Sequence, residues 1–171
     1  MPVNTNKNFS IGGLNGRSLL TLAVLVAAIV GALLLFKPNV PLPAAAAVSA
    51  LVVFIVAFLL ASARVTVLGD HLVVGAGFYK VKVPLTDLLI EDVKELPSDS
   101  SFKLRWRTNG LGWPGLSLGW FSTNGEKSVF AAISSKQRRI YIPLRGSYDL
   151  VVTPESTDEF LSTLRSLGRP G

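Results

Sequence analysis

Two long apolar stretches dominate the hydrophobic pattern of the first third of the chain. Residues 18–36 and 44–63 contain no charged side chain and consist mainly of Leu, Ala, Val and Ile. At a rise of about 1.5 Å per residue, a helix of roughly 20 residues matches the hydrocarbon thickness of a bilayer. The connecting residues 37–43 include three prolines, which end helices. The pattern therefore predicts a transmembrane helical hairpin.

The segment before the first apolar stretch, residues 1–17, is rich in Asn and Gly and predicts a flexible tail. An alternative interpretation of the first stretch is a secretory signal peptide, cleaved near residues 44–47. Against that alternative, the apolar stretch exceeds the roughly 7–15 residues typical of a signal-peptide core, and a second stretch follows it.

Positive charges near the ends of the apolar stretches predict the orientation of the hairpin. Lys7 and Arg17 precede the first stretch and Arg64 follows the second, whereas the loop contains only Lys37. Because positive charge favours the cytoplasmic side, we expect a multi-pass protein of the cell membrane with both termini in the cytoplasm.

From residue 64 onward the hydrophobic period changes to two, which is typical of strands. Apolar and polar residues alternate in short segments separated by Asn-Gly and Arg-Gly turn signals at 109–110, 124–125 and 145–146. The predicted strands are 64–68, 71–74, 79–83, 102–107, 116–121, 127–133, 139–143 and 148–152, and residues 85–96 form either a strand or a short helix.

A C-terminal amphipathic helix is predicted after the last strand. Thr153 is the expected N-cap and is followed by Pro154 at the first helical position. Four apolar residues then recur on one helix face: Phe160, Leu161, Leu164 and Leu167. The expected fold is two transmembrane α-helices followed by a mainly-β barrel or sandwich of about seven strands over residues 64–171, capped by this helix.

Composition narrows the chemistry that the chain can perform. Charged residues make up 16% of the chain, against about 25% in soluble domains, and residues 1–63 contain no acidic side chain. The absence of Cys excludes disulfides and thiol chemistry, and a single histidine, His71, argues against a histidine-based metal site. The glycines of residues 110–115 match a dinucleotide fingerprint formally, but a strand-like segment follows them instead of a helix. We therefore expect no catalytic set, no cofactor and no metal.

Positive charge is concentrated in the middle of the predicted β domain. Residues 100–145 contain eight basic side chains and one acidic side chain. They could form a surface for anionic lipid headgroups or for an acidic partner, or a solvated face that protects edge strands. The candidate contacts are Lys103, Arg105, Arg107, Lys136, Arg138 and Arg139, with Trp113 and Trp120 as candidate loop contacts. The alternative for these tryptophans is that one of them packs on the core. Alternation in the strand 102–107 predicts Lys103, Arg105 and Arg107 on one face, and Phe102, Leu104 and Trp106 on the other, apolar face. Nucleic acid fits this charge but does not fit a membrane anchor.

Several motifs in the second half of the chain resemble those of a known family. The main one is Arg-Thr-Asn-Gly-Leu-Gly-Trp-Pro-Gly at 107–115, and Gly-Trp-Phe at 119–121 follows it. Arg-Arg-Ile-Tyr-Ile-Pro at 138–143 and the segment 148–155 continue the likeness. The chain resembles bacterial pleckstrin-homology-like (PH) domains, specifically a membrane-tethered family with two N-terminal spans. This resemblance implies a PH-like fold and a membrane tether, and it implies no known reaction.

The expected function is a membrane-anchored, non-catalytic PH-like binding module at the cytoplasmic membrane surface. Two spans already anchor the chain, so a protein partner is favoured, with anionic lipid headgroups as a further possible ligand. One alternative is an accessory subunit of a membrane enzyme or transporter complex, although neither apolar stretch contains an ionisable residue of the kind that marks ion pathways. Another alternative is an outward-facing sensor.

Overall fold

The computed structural model describes residues 6–12, 16–36, 41–97, 104–125, 127–134 and 138–168. Three α-helices are formed by Gly16–Phe36 (α1), Leu42–Ala61 (α2) and Thr157–Leu167 (α3). The strands are Asn6–Ser10 (β1), Arg64–Leu68 (β2), His71–Ala76 (β3), Tyr79–Pro84 (β4), Lys94–Leu96 (β5), Arg107–Trp113 (β6), Leu116–Phe121 (β7), Ser128–Ser134 (β8), Arg139–Ile142 (β9) and Tyr148–Val152 (β10).

The described residues contain ten strands in two sheets, more than the seven or so expected. One sheet has the order β1-β2-β3-β4 and the other has the order β5-β9-β10-β8-β7-β6. All described pairings are antiparallel except that of β8 with β10, which is parallel. Apolar side chains from both sheets and from α3 share one core, which includes Val65, Leu118, Phe130, Leu150 and Phe160. A mainly-β domain with a C-terminal helix is thus confirmed.

Strand β1 lies in the segment that the sequence predicts to be a flexible tail. Its register places Asn6 opposite Leu68 and Ser10 opposite Arg64 on β2. Phe9 is buried because this strand covers the shared core. With Phe9 as its single apolar residue, β1 has the composition of a polar tail, so only its pairing with β2 reveals it.

The helices α1 and α2 form a hairpin inserted between the paired strands β1 and β2. The backbone N–H of Ile11 donates to the carbonyl of Ala63 (2.9 Å), so the two ends of the insertion lie side by side. Among the described residues, one helical stretch, Pro43–Ala61, is long and apolar enough to cross a membrane. The apolar stretch described in α1, Gly16–Ala32, is shorter, so a pair of spans remains a prediction.

The β6–β7 hairpin corrects the turn predicted at residues 109–110. Its turn lies at Pro114 and Gly115, and Gly110 sits inside β6, directly opposite Gly119 of β7. These two glycines have φ values of 130° and 149°, and a Cβ on either would collide with the backbone of the opposite strand. The glycines therefore allow two strands to approach closely. The element that follows them is the strand β7 and not a helix, as the sequence predicts.

The C-terminal helix begins later than its predicted cap. Thr153 is fully buried, and its Oγ1 accepts a hydrogen bond from the backbone N–H of Ser134 (2.6 Å) instead of capping a helix. Helix α3 starts at Thr157 and buries Phe160 and Leu164 in the core, as its apolar face predicts.

Candidate binding surface

The structure separates the basic residues that the sequence groups together. Arg105 and Arg107 are exposed where β6 begins, at one edge of the six-stranded sheet. Arg138 and Arg139 are exposed where β9 begins, four strand positions away. The remaining two predicted contacts, Lys103 and Lys136, lie outside the described residues.

The two arginine pairs also lie towards opposite ends of their strands. Arg107 shares its row across the sheet with Asp149 of β10. Ile140, which follows Arg139, pairs with Val152 of the same strand. Four strand spacings of about 4.8 Å correspond to roughly 19 Å across the sheet. The described arginines therefore form two sites and not a single basic face.

Arg138 is paired with acidic side chains of its own domain. Its guanidinium contacts Glu95 (3.2 Å) and Asp158 (2.5 Å). The hydrogen bond to Asp158 raises the pKa of Arg138 further above its ordinary value. Much of the charge at this site is therefore compensated internally, which makes it a poor candidate for an external anion.

Arg105 and Arg107 have no such compensation within the part of the chain that is described. No described carboxylate lies within ion-pair distance of either guanidinium. Arg107 extends along its own strand, with its guanidinium over Gly112. The two charges at the edge of the sheet are therefore available to a ligand.

The structure places Trp113 and Trp120 against the core and leaves Trp106 at the surface. Trp120 packs edge-to-face against Phe130 and Tyr148, with ring centroids 5.3 and 4.9 Å apart. Trp113 is half-buried against the core, and its indole N–H is buried with no hydrogen-bond partner among the described residues. Both candidate loop contacts thus serve packing. Trp106, which the alternation predicts to face the core, is 78% exposed.

Trp106 lies in an irregular segment just before β6. The backbone bonds of Arg105 and Trp106 to Ser122 continue the β6–β7 pairing, but residues 104–106 are not part of the strand. The register then shifts between Arg107 and Asn109. Side chains around this irregularity do not keep strict alternation. Arg105, Trp106 and Arg107 form what we call the Trp106 patch, an exposed aromatic side chain between two arginines that no described carboxylate pairs.

A search against family models identifies the domain. The model described as bacterial PH domain matches residues 63–168. This chain belongs to the bacterial PH domain family. No curated protein and no solved structure matches the chain. The resemblance to bacterial PH domains is confirmed, whereas the membrane tether with two N-terminal spans stays a prediction. PH domains are generally non-catalytic binding modules.

Strand β1 extends the PH domain beyond the stretch that matches the family. The Phe9 ring packs edge-to-face on Phe160 of α3, with centroids 5.1 Å apart. Lys7 donates to Glu159 and to the hydroxyl of Thr163, both at 3.3 Å. The segment before the helices thus joins the four-stranded sheet to α3, although it is distant from both in sequence.

A buried carboxylate on β10, Asp149, binds neighbouring parts of the six-stranded sheet. Asp149 is 5% exposed and accepts hydrogen bonds from Lys127 Nζ (3.3 Å), Leu144 N–H (2.9 Å) and the Tyr141 hydroxyl (2.6 Å). Burial, and then the hydrogen bond to Asp149, raises the pKa of Tyr141 well above its ordinary value. Every contact named here is internal, so this cluster is structural.

The remaining titratable groups do not assemble a reactive site in the described residues. The hydrogen bond to His71 lowers the pKa of Asp70, but Asp70 lies in the exposed turn after β2 and His71 is the partly exposed first residue of β3. Within the ranges that the structure describes, no group of three or more His, Asp or Glu side chains could hold a metal ion.

Proposed function

We propose that this protein is a membrane-anchored, non-catalytic binding module whose Trp106 patch binds an acidic segment of a protein partner. The α1–α2 hairpin anchors the PH domain at the cytoplasmic surface of the cell membrane. The observation that carries the proposal is the 78% exposure of a tryptophan between two arginines that no described carboxylate neutralises.

The placement of the helices supports the anchor. They leave and rejoin the PH domain at neighbouring positions, because Ser10 lies opposite Arg64 in the β1–β2 pair. The segment before the hairpin and the segment after it therefore lie on the same side of any membrane that the hairpin crosses. Many large apolar side chains on the two helices are exposed, including Leu20, Val24 and Phe54. Lipid is the environment that suits such a surface.

The chemistry of the Trp106 patch supports a protein partner. Tryptophan and arginine are the residue types that contribute most to binding energy at protein interfaces. The planar guanidinium pairs with a carboxylate through two parallel hydrogen bonds. Beside the patch, β6 is the edge strand of its sheet among the described residues, and an exposed edge of this kind can pair with an extended peptide. A partner segment with acidic side chains next to an apolar one would satisfy all three features.

Site-specific photocrosslinking in the native membrane tests this proposal. A photoreactive amino acid is placed at Thr108, which is exposed beside the patch on β6. We expect a discrete protein adduct that decreases at least about tenfold when Arg105→Glu and Arg107→Glu are combined. The matched control combines Arg145→Glu with Arg165→Glu, two exposed arginines elsewhere, and should retain the adduct. Adducts with lipid alone, or a protein adduct that survives the first pair of substitutions, would contradict the proposal.

A further inference from the structure

The hairpin between β3 and β4 ends in an aromatic side chain that the described protein leaves uncovered. Ala76 pairs with Tyr79, so the turn consists of Gly77 and Phe78, which we call the β3–β4 tip. Phe78 is 98% exposed, the highest exposure among the large hydrophobic side chains described. Turn positions usually carry small or polar residues, so a phenylalanine here needs an environment outside the PH domain.

The β3–β4 tip is held against the last turn of α2. The backbone N–H of Gly77 donates to the hydroxyl of Ser62 (2.8 Å), and that hydroxyl donates to the carbonyl of Leu59 (3.0 Å). A side chain at Gly77, whose φ is +52°, would collide with Leu59 and approach the ring of Phe58. Glycine therefore allows the tip to sit directly on the helix, and the hydrogen bond sets its position along the helix axis.

This contact places Phe78 at the depth where α2 leaves the membrane. Helix α2 ends at Ala61, and the charged side chain of Arg64 follows within three residues. Phe58 and Ile55, on the adjoining turns, are about half exposed and continue the apolar surface towards the centre of the helix. If α2 spans the membrane, Phe78 therefore lies next to a helix surface that faces lipid.

The residues that follow Phe78 suit the boundary between lipid and water. Strand β4 leads away from the tip with Lys80 and Lys82 exposed, while Tyr79 and Val81 pack against the core. Flexible lysine stems let the ammonium groups reach lipid phosphates while the aromatic ring sits deeper. Aromatic side chains with nearby cations are typical of cytoplasmic membrane interfaces.

We infer that the β3–β4 tip is a second membrane contact, in which Phe78 inserts into the cytoplasmic-side interface of the bilayer beside α2. The occupant of this surface is lipid, because the exposed apolar surface of α2 is continuous with it. The inference rests on the membrane anchor of the proposed function and adds to it. With three attachment points, α1, α2 and the tip, the PH domain cannot rotate freely about its anchor, so the Trp106 patch is presented in one orientation.

Fluorescence quenching by lipids with brominated acyl chains tests the inference on the full chain. The sequence contains no Cys, so single cysteines can be introduced and labelled with a polarity-sensitive dye. The variants Phe78→Cys, Phe54→Cys and Trp106→Cys replace three exposed aromatic residues, on the tip, on α2 and on the patch. In vesicles of phosphatidylcholine and phosphatidylglycerol, we expect strong quenching at 54, clear quenching at 78 and none at 106.

The three labels separate failure of this inference from failure of the anchor. Quenching at 54 with none at 78 would overturn the insertion of Phe78 and leave the anchor standing. No quenching at 54 and none at 78 would overturn both. Quenching at 78 without quenching at 54 would support the lipid contact and overturn the span.

A second measurement tests the effect on orientation. A dye on Ser128→Cys, an exposed position at the start of β8, reports the rotational freedom of the PH domain through its anisotropy in vesicles. Phe78→Glu should lower this anisotropy, because a carboxylate leaves the lipid interface, whereas Phe78→Trp should preserve it. Equal anisotropy in the Glu and Trp variants would contradict the role of the tip.

Discussion

Asp149 and Asp158 illustrate how burial changes the contribution of a paired carboxylate to the stability of the fold. Asp149 is 5% exposed and accepts three hydrogen bonds. Asp158 pairs with Arg138, but 86% of its side chain remains exposed. A buried group that loses its partners costs much more than a surface ion pair that breaks.

Replacement of each aspartate by asparagine should therefore give unequal losses of stability. Asp149→Asn weakens bonds to Lys127 and Tyr141 in a buried site, and we expect a loss of about 1–3 kcal/mol in the free energy of unfolding. Asp158→Asn should cost less than about 1 kcal/mol. Urea unfolding of the full chain in detergent, followed by tryptophan fluorescence, measures both. Equal losses would show that Asp149 has no special role.

The raised pKa of Tyr141 predicts a loss of stability at alkaline pH. The unfolded phenol loses its proton near pH 10, while the folded phenol keeps it. The folded state thus binds more protons above this pH, so the stabilising contribution is complete below pH 10 and declines as the pH rises further. The pKa of Tyr148 is also raised by burial, so it adds a slope of the same sign.

The contribution of Tyr141 is isolated by comparing the wild-type protein with Tyr141→Phe. Thermal unfolding at a series of pH values from about 8 to about 11 should show a shallower decline for the variant above pH 10. Ionisation of lysines affects both proteins alike and cancels in the difference. Parallel curves throughout would mean that Tyr141 titrates normally in the folded protein.

At the scale of elements, β1 is a strand of the PH domain that the sequence does not reveal. Its pairing with β2 spans more than 50 residues of chain, because the helical hairpin lies between them. Without β1, the backbone groups of β2 would form an exposed edge and the Phe160 ring would lose its neighbour. Residues 63–168 match the family, but the strand that completes their sheet lies outside that match.

Two phenylalanine substitutions test the contribution of β1. Phe9 is 3% exposed, so Phe9→Ala should lower the free energy of unfolding by about 3–5 kcal/mol. Phe78→Ala makes the same chemical change at a 98% exposed position and should cost less than about 0.5 kcal/mol in detergent. Similar effects of the two variants on urea unfolding would indicate that β1 does not pack on the PH domain in solution.

At the scale of the whole molecule, the helices are an insertion in a β-hairpin and not an N-terminal extension. If the hairpin crosses a membrane as we propose, residues 6–12 and the rest of the PH domain lie on the same side of it, because β1 and β2 are hydrogen-bonded neighbours. An insertion that starts and ends on one side crosses the membrane an even number of times. For an insertion of two helices that enters the membrane, this constraint predicts two crossings.

Cysteine accessibility provides the test of this topology. Asn8→Cys and Ser128→Cys should react with a membrane-impermeant reagent in inside-out vesicles but not in intact cells. Lys37→Cys, in the loop between the apolar stretches, should react in intact cells. Reaction of all three positions from the same side would mean that the helices do not cross. Reaction of Asn8→Cys and Ser128→Cys in intact cells, with Lys37→Cys protected, would place the PH domain outside.

The sequence by itself determined the apolar stretches, seven of the short strands, the buried face of α3 and the PH family, because each depends on the order of nearby residues. A local pattern shows which face of a segment is buried, and the alternation of apolar and polar residues shows this for most strands from β2 to β10. The prediction failed at Trp106, which is exposed in the irregular segment where β6 begins.

Only the tertiary structure decided which distant segments meet. It placed β1 beside β2, separated the arginines of β6 from those of β9, and seated the β3–β4 tip on α2. Each of these contacts joins segments that are distant in sequence. The free energy that stabilises such a contact comes from the burial of both segments together. A pattern confined to one segment cannot contain that information, since the same polar or apolar residues would suit several neighbours.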